Sequence, residues 1–283
     1  MRLANNAGRL ALATDDGFHD VATVSDGRFG PDPQAVYDVW EDFHAWAAKA
    51  QLEGGVTLNL EALAPPVPAP HQVFAVALNY ADHAAEGGFT PPQTPLVFTK
   101  YPTCLVGPVA DVALPTAQVD FEVELVCVIG RHAYRVAESE AWAHVAGLTV
   151  GQDLSARDVQ RRGPAPQYSL GKSFPGFGPT GPWVLTTDDP AVAGELELES
   201  TLNGERMQRA STAAMIFAVP ELISYISAIC PLLPGDLLFT GTPPGVGFAR
   251  KPPCYLRAGD VLVSRITGIG EIAQRFHEPR SAR

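Results

Sequence analysis

The sequence predicts a β-rich α+β protein, with a small N-terminal α/β domain over residues 1–64 and a larger domain over residues 71–283. Three observations lead there. The 283 residues include 26 Pro and 26 Gly, punctuation that cuts a chain into strands and turns rather than long helices. A hydrophobic fraction of 46% against 18% charged is that of a globular chain able to bury a full core. Ala64-Pro65-Pro66-Val67-Pro68-Ala69-Pro70 is a stiff, extended connector and marks the boundary.

The elements follow in order. Short strands are expected at Leu10–Ala13 and Val21–Val24. Asp32-Pro33 then caps a helix whose apolar stripe is Val36, Val39, Trp40, Phe43, Trp46, Ala47 and Ala50. Beyond the connector, strand Gln72–Leu78 runs into a short helix capped by Asn79, and Gly87-Gly88 would let that segment move as a lid. Leu96–Thr99 is a strand, as is the β-branched run Asp120–Gly130. Ser139–Ala146 reads as a helix stopped by Gly147, and Leu148–Gln152 as a strand delivering Asp153. Pro220 opens a helix over Glu221–Ile229, and strands Leu237–Thr240 and Val261–Ile266 close the chain.

A net charge of −11 argues against nucleic acid or an anionic membrane surface as partner. Apolar runs are broken by Pro, Gly or charge before the roughly 18 residues of a membrane span. Asp15 and Asp16 arrive too early for a signal peptide. The chain reads as soluble and cytoplasmic. Cys104, Cys127, Cys230 and Cys254 are far apart and form no CxxC pair, so neither a zinc site nor a disulfide framework is expected.

The chemistry concentrates in a few places. Alternation along Asp120–Gly130 sends Glu122 and Glu124 one way and Phe121, Val123 and Leu125 the other. Two like charges within a greasy run are either solvated on an edge strand, or need a cation between them or a proton on one. His83 and Glu86 share a helical face, as an exposed pair or as a base oriented by a carboxylate. Asp153, Arg157 and Gln160 fall at i, i+4 and i+7, as a solvated helix start or as an anion and cation site. Glu122, Glu124 and Asp153 together would suit a hard divalent cation such as Mg²⁺ or Mn²⁺. Lys172 is a surface lysine or a stabiliser of a developing oxyanion. The loop Gly241–Gly247, with Thr242, offers amides and a hydroxyl to an anion, or is only a tight turn.

Three apparent nucleotide motifs are coincidences. Gly171-Lys172-Ser173 has Pro166 where a P-loop needs its first glycine, Gly176-x-Gly178-x-x-Gly181 follows no strand, and Gly268-x-Gly270-x-x-Ala273 leaves no room for a βαβ unit.

Six segments in order make the chain resemble the fumarylacetoacetate hydrolase family: Asn79–Glu86, Asp120–Leu125, Asp153–Gln160, Gly171–Phe174, Gly181-Pro182-Trp183 and Thr240–Gly247. The resemblance spans roughly residues 72 to 276 and departs at Gln152, where relatives commonly carry Asn. It implies a mixed β-sandwich or barrel-like roll, usually homodimeric, with Mg²⁺ or Mn²⁺ (Ca²⁺ as a crystallographic substitute) on Glu122, Glu124 and Asp153. By position His83 and Glu86 match the family's base dyad and Lys172 its lysine, while Arg157, Gln160 and Thr242 fall where an oxo-acid substrate is held. The implied activity is hydrolysis of a C–C bond in acylpyruvates or 2,4-dioxo sugar acids. The alternatives are an isomerase or decarboxylase of 2-oxo diacids, and a non-catalytic metabolite-binding protein.

Overall fold

The computed structural model describes residues 1–14, 17–192 and 194–279; Asp15, Asp16 and the last residues assigned to the larger domain lie outside them. One large sheet organises the chain. It takes strands β1 (Arg2–Asn6), β2 (Arg9–Thr14), β3 (Gly17–Asp20), β4 (Val73–Ala77), β5 (Leu96–Thr99), β7 (Val123–Ile129), β8 (Val145–Gln152), β9 (Gly178–Thr186) and β12 (Leu237–Phe239). Their order in space is β3-β2-β1-β9-β8-β7-β12-β4-β5. A second sheet is ordered β11 (Glu205–Ser211), β10 (Glu197–Leu202), β13 (Val261–Ile266), β14 (Gly270–His277) and β6 (Val109–Ala113). Most pairings are antiparallel; β12 with β4 and β14 with β6 are parallel.

β7 sits in the middle, paired on one side with β8 and on the other with β12, and all seven of its residues are buried. The edge-strand reading of its glutamates is thereby excluded. Its two faces feed two cores. Leu125, Cys127 and Ile129 pack with Leu222, Ile223 and Ile226 of α5 (Val219–Ser227), the helix that Pro220 opens. Val126 and Val128 pack instead with Leu3, Leu12, Trp40, Phe43 and Phe239.

That second core changes the picture of the N-terminal segment. β1 pairs with β9, and Phe43 of helix α2 (Trp40–Ala47) is fully buried against the common sheet. Residues 1–64 therefore extend the main sheet rather than forming a sheet of their own, because β1–β3 have too few apolar residues to close a separate core.

Local expectations fail in places for physical reasons. Val21–Val24 is a helix, α1, not a strand, because Asp20 caps it by accepting from the amide and hydroxyl of Thr23. Asn79 does not cap α3 (Ala81–Glu86); its side chain donates to the carbonyls of Phe217 and Thr240 and accepts from the amide of Phe217, clamping two distant segments. Residues 138–144 form a 3₁₀ turn, and β8 begins at Val145, earlier than expected. Strands β1, β3, β6, β9, β10, β11 and β14 lie outside the expected elements, although β10 carries a legible alternation, Leu196 and Leu198 set between Glu195, Glu197 and Glu199. All four cysteines are free.

Candidate active site

The β7–β8 ladder aligns Val123 with Gln152, so the residues just beyond it, Glu122 and Asp153, are neighbours across the strand end. The Asp153 amide donates to the Glu122 carbonyl at 2.9 Å. Gln152 adds a brace: its Oε1 accepts from the Glu122 amide at 2.8 Å, while its Nε2 donates to the Ser264 hydroxyl at 2.7 Å. Glu124 projects from the same strand opposite Gly151, where a Cβ would lie 2.4 Å from the Val126 side chain. Oxygen atoms of Glu122, Glu124 and Asp153 come within 4.8 Å of one another, all buried.

Their charges are unequally compensated. Lys172 donates to Glu122 at 2.6 Å and to Asp153 at 2.5 Å. Arg157 donates through Nη2 to Glu122 at 2.6 Å and through Nε to Asp120 at 2.9 Å. Burial disfavours the Glu122 anion, but Lys172, Arg157 and His83 outweigh it and hold the carboxyl far below its usual range. Lys172 is buried too, and Asp153 and Glu122 more than offset that, so its ammonium is retained. Glu124 has only the Gly241 amide, at 2.7 Å, and burial together with the charges of Asp153 and Glu122 pushes it well above the carboxylate range. Gly241 meets that oxygen from a positive φ of 96°, with Asn79 packed where its side chain would be.

Three buried carboxylates in mutual contact, one left without a cation, fit a hard divalent ion by charge, donor type and spacing. Such an ion needs Glu124 ionised, so its binding displaces a proton. Affinity for Mg²⁺ should accordingly rise with pH through the range in which Glu124 stays protonated, releasing about one proton per ion. Calorimetry in two buffers of different ionisation enthalpy measures that release; heats independent of buffer would count against the cation site.

The opposite wall is α3 and the loop after β12. His83 Nδ1 lies 2.8 Å from Glu86 Oε1, and the other Glu86 oxygen accepts from the Gly245 amide at 2.8 Å. With the ring proton on Nδ1, Nε2 remains as acceptor. One cavity is lined by His83, Glu122, Glu124, Arg157, Gln160, Lys172 and Thr242. Asp153 lies behind them, fully buried. The fold thus brings together every residue singled out from the sequence. Gln160 Nε2 is buried with no hydrogen-bond partner among the described residues. Thr242 is the most committed: its hydroxyl donates to the Val123 carbonyl and accepts from Gln208, so it braces the strand and has no proton left for a ligand.

Sequence reasoning missed three supports. The Lys100 ammonium is buried and donates to Asp153 at 2.7 Å, to the Phe177 carbonyl and to the Lys172 carbonyl. Asp120 is fully buried and accepts from Arg157 and from the amides of Phe121, Gly247 and Phe248. Gln208 ties the Val123 amide to Thr242. Only Lys100 left a local trace, a lysine directly after a strand in a region otherwise poor in basic residues.

A recessed pocket with an imidazole poised by one carboxylate and facing several more is an enzyme's site for a small molecule. Residues 72–277 match the model of the fumarylacetoacetate (FAA) hydrolase C-terminal domain, and the chain belongs to that family. Human oxaloacetate tautomerase FAHD2A, mitochondrial, is 42% identical over 212 residues, 74% of this chain and 68% of that protein. A crystal structure from Mycobacterium smegmatis carrying the name HpcE superposes with a TM-score of 0.95 at 49% identity, covering 99% of this chain and 100% of that one. Maleylpyruvate hydrolase from Sphingobium sp. SYK-6, solved with manganese(II) and pyruvate, gives 0.79 at 28% identity, covering 99% and 100%. The chain is an enzyme with the β-rich mixed-sheet fold of these relatives. The expectation of a cytoplasmic location is corrected, since human and bovine relatives are named mitochondrial. Among the described residues no helix is long and apolar enough to cross a membrane.

Proposed function

We propose that this enzyme hydrolyses a C–C bond in a 2,4-dioxo acid, an acylpyruvate or a 2,4-dioxo sugar acid, by way of an enolate. The observation that carries the proposal is the His83–Glu86 pair set across one cavity from Lys172 and the three carboxylates. Mg²⁺ or Mn²⁺ held by Glu122, Glu124 and Asp153 would supply Lewis acidity, polarising the 2-oxo group and stabilising the enolate. His83 Nε2 takes a proton from the water that adds to the 4-carbonyl, with Glu86 fixing the ring and stabilising the imidazolium. The bond between C3 and C4 breaks with its electron pair passing to C3. Lys172 donates a hydrogen bond to the enolate oxygen, and the His83 imidazolium returns its proton to C3, giving the 2-oxo acid beside the carboxylic acid and restoring the neutral ring. Gln160, with its free amide hydrogens, and Arg157 hold the oxo-acid oxygens, and Thr242 backs the same wall. Exposed Leu96, Val97 and Ile229 support a homodimer as the working form.

A second reading is favoured by the names of the relatives. Oxaloacetate tautomerases at 41–42% identity, and a structure from Mycobacterium abscessus named as a 2-hydroxyhepta-2,4-diene-1,7-dioate isomerase at 31%, support proton transfer within a 2-oxo diacid. There His83 would shuttle a proton at C3, and loss of CO₂ from oxaloacetate would pass through the same enolate.

Assaying the Mg²⁺-loaded protein on acylpyruvates for pyruvate release, and on oxaloacetate for enol–keto interconversion and CO₂, separates the two. His83→Ala should lower the true activity by about 10²- to 10⁴-fold. Turnover of oxaloacetate without cleavage of any acylpyruvate would transfer the assignment to the second reading, and an active His83→Ala would remove both.

A further inference from the structure

This inference rests on the cavity being the reaction site and concerns which substrates it admits. Four basic side chains line it: His83, Arg157, Arg161 and Lys172. Three are committed, Arg157 to Asp120 and Glu122, Lys172 to Glu122 and Asp153, and His83 to Glu86. Arg161 has no acidic partner among the described residues; the neighbouring Arg162, not Arg161, approaches Asp158. Arg161 closes the one-turn helix α4 (Arg157–Gln160), four residues beyond Arg157 and so on the same side. Both guanidinium groups lie on the Phe248 ring, Arg157 at 4.6 Å and Arg161 at 5.5 Å from its centroid. That stacking orders a side chain that would otherwise sample many rotamers at the mouth.

The wall around it is otherwise apolar or aromatic: Phe89, Phe98, Pro166 and Tyr168. Away from the carboxylate cluster, the cavity therefore offers one uncommitted charge, a planar cation whose geometry matches a carboxylate. The reacting end of a 2-oxo acid is provided for deeper in the cavity, by the buried Arg157, Gln160 and Lys172 beside the carboxylates, while Arg161 stands at its exposed edge.

We propose that Arg161 is a specificity-determining residue that takes a second carboxylate, at the far end of the substrate, and so selects 2-oxo diacids over 2-oxo monoacids. For hydrolysis the preferred substrate is then an acylpyruvate whose acyl group ends in a carboxylate rather than a 2,4-dioxo sugar acid; for proton transfer it is a 2-oxo diacid.

The test compares 2-oxoglutarate with 2-oxopentanoate, which have the same carbon chain and differ only in the terminal carboxylate. Calorimetric titration into the Mg²⁺-loaded wild type should show the diacid bound about tenfold or more tightly. Arg161→Gln should collapse that preference to near unity by weakening the diacid alone, and Arg161→Lys should restore part of it. A wild type indifferent to the terminal carboxylate, or a preference surviving in Arg161→Gln, would overturn the assignment. Kinetics supply the second readout: with oxaloacetate, Arg161→Gln should raise KM about tenfold with a much smaller change in kcat, and a loss confined to kcat would refute a role in recognition. Since the titration requires no turnover, a wild type that discriminates in binding yet converts neither acylpyruvates nor oxaloacetate would refute the proposed reaction and leave the specificity assignment standing.

Discussion

Glu124→Gln should abolish high-affinity Mg²⁺ and Mn²⁺ binding and lower kcat/KM by about three orders of magnitude. The same change should leave the unfolding free energy of the cation-free protein within about 1 kcal/mol of wild type. The combination follows from where Glu124 stands. It is buried, its carboxyl is pushed upward by Asp153 and Glu122, and its one hydrogen bond comes from the Gly241 amide. Without a cation it is already the neutral form that is stable, and glutamine reproduces both its shape and its acceptor oxygen. With a cation the ionised form is required, and glutamine cannot supply it. Urea unfolding with and without Mg²⁺ separates the two states: wild type should gain stability from the ion and the variant should not. Equal stabilisation of both would show that the ion sits elsewhere.

Asp120→Ala should do the opposite kind of damage, costing about 3–5 kcal/mol of stability even without any cation. Asp120 is fully buried, and its two oxygens accept from Arg157 and from three backbone amides. Truncation leaves a buried guanidinium half-paired and strands the amides of Gly247 and of Phe248, whose ring lines the cavity. Asp120→Asn keeps an acceptor for the amides and loses only the charge, so its loss should be distinctly smaller. Thermal unfolding reads the difference: a chain of this size moves by about 2–4 °C per kcal/mol, so the alanine variant should melt some 10 °C lower. A shift of a degree or two would mean that Arg157 finds another partner and that Asp120 is not its anchor. Glu124 and Asp120 lie four positions apart and are equally inaccessible, yet one is under-compensated and the other over-determined, and the expected phenotypes diverge accordingly.

How much of this was legible beforehand depended on whether the signal was local. Glu122 and Glu124 announced themselves because two acids in an apolar strand demand an explanation, and His83 with Glu86 because helical spacing puts them on one face. The segments shared with the family then implied that Asp153, Arg157, Gln160, Lys172 and Thr242 belong to the same site. What could not be read is the web of long-range hydrogen bonds that aims those groups. Lys100 reaches Asp153 across 53 residues and Gln208 reaches the Val123 amide across 85; neither partnership leaves a pattern in its own neighbourhood. The attachment of β1 to β9 is of the same kind, a pairing across most of the chain that no periodicity reports. The strand expected at Val21–Val24 failed for the converse reason, a single capping aspartate overruling the three β-branched residues Val21, Thr23 and Val24.

Glu86 joins α3 to the loop following β12 through one oxygen and steadies His83 through the other, and the second bond lies within the helix itself. Any outward excursion of α3 must therefore break the tie to Gly245 while the imidazole keeps its companion. The two leave and return as a cartridge, so proton-transfer capacity is docked or withdrawn whole. An undocked α3 would carry both members of the proton relay away together and leave the carboxylates and Lys172 behind in the pocket.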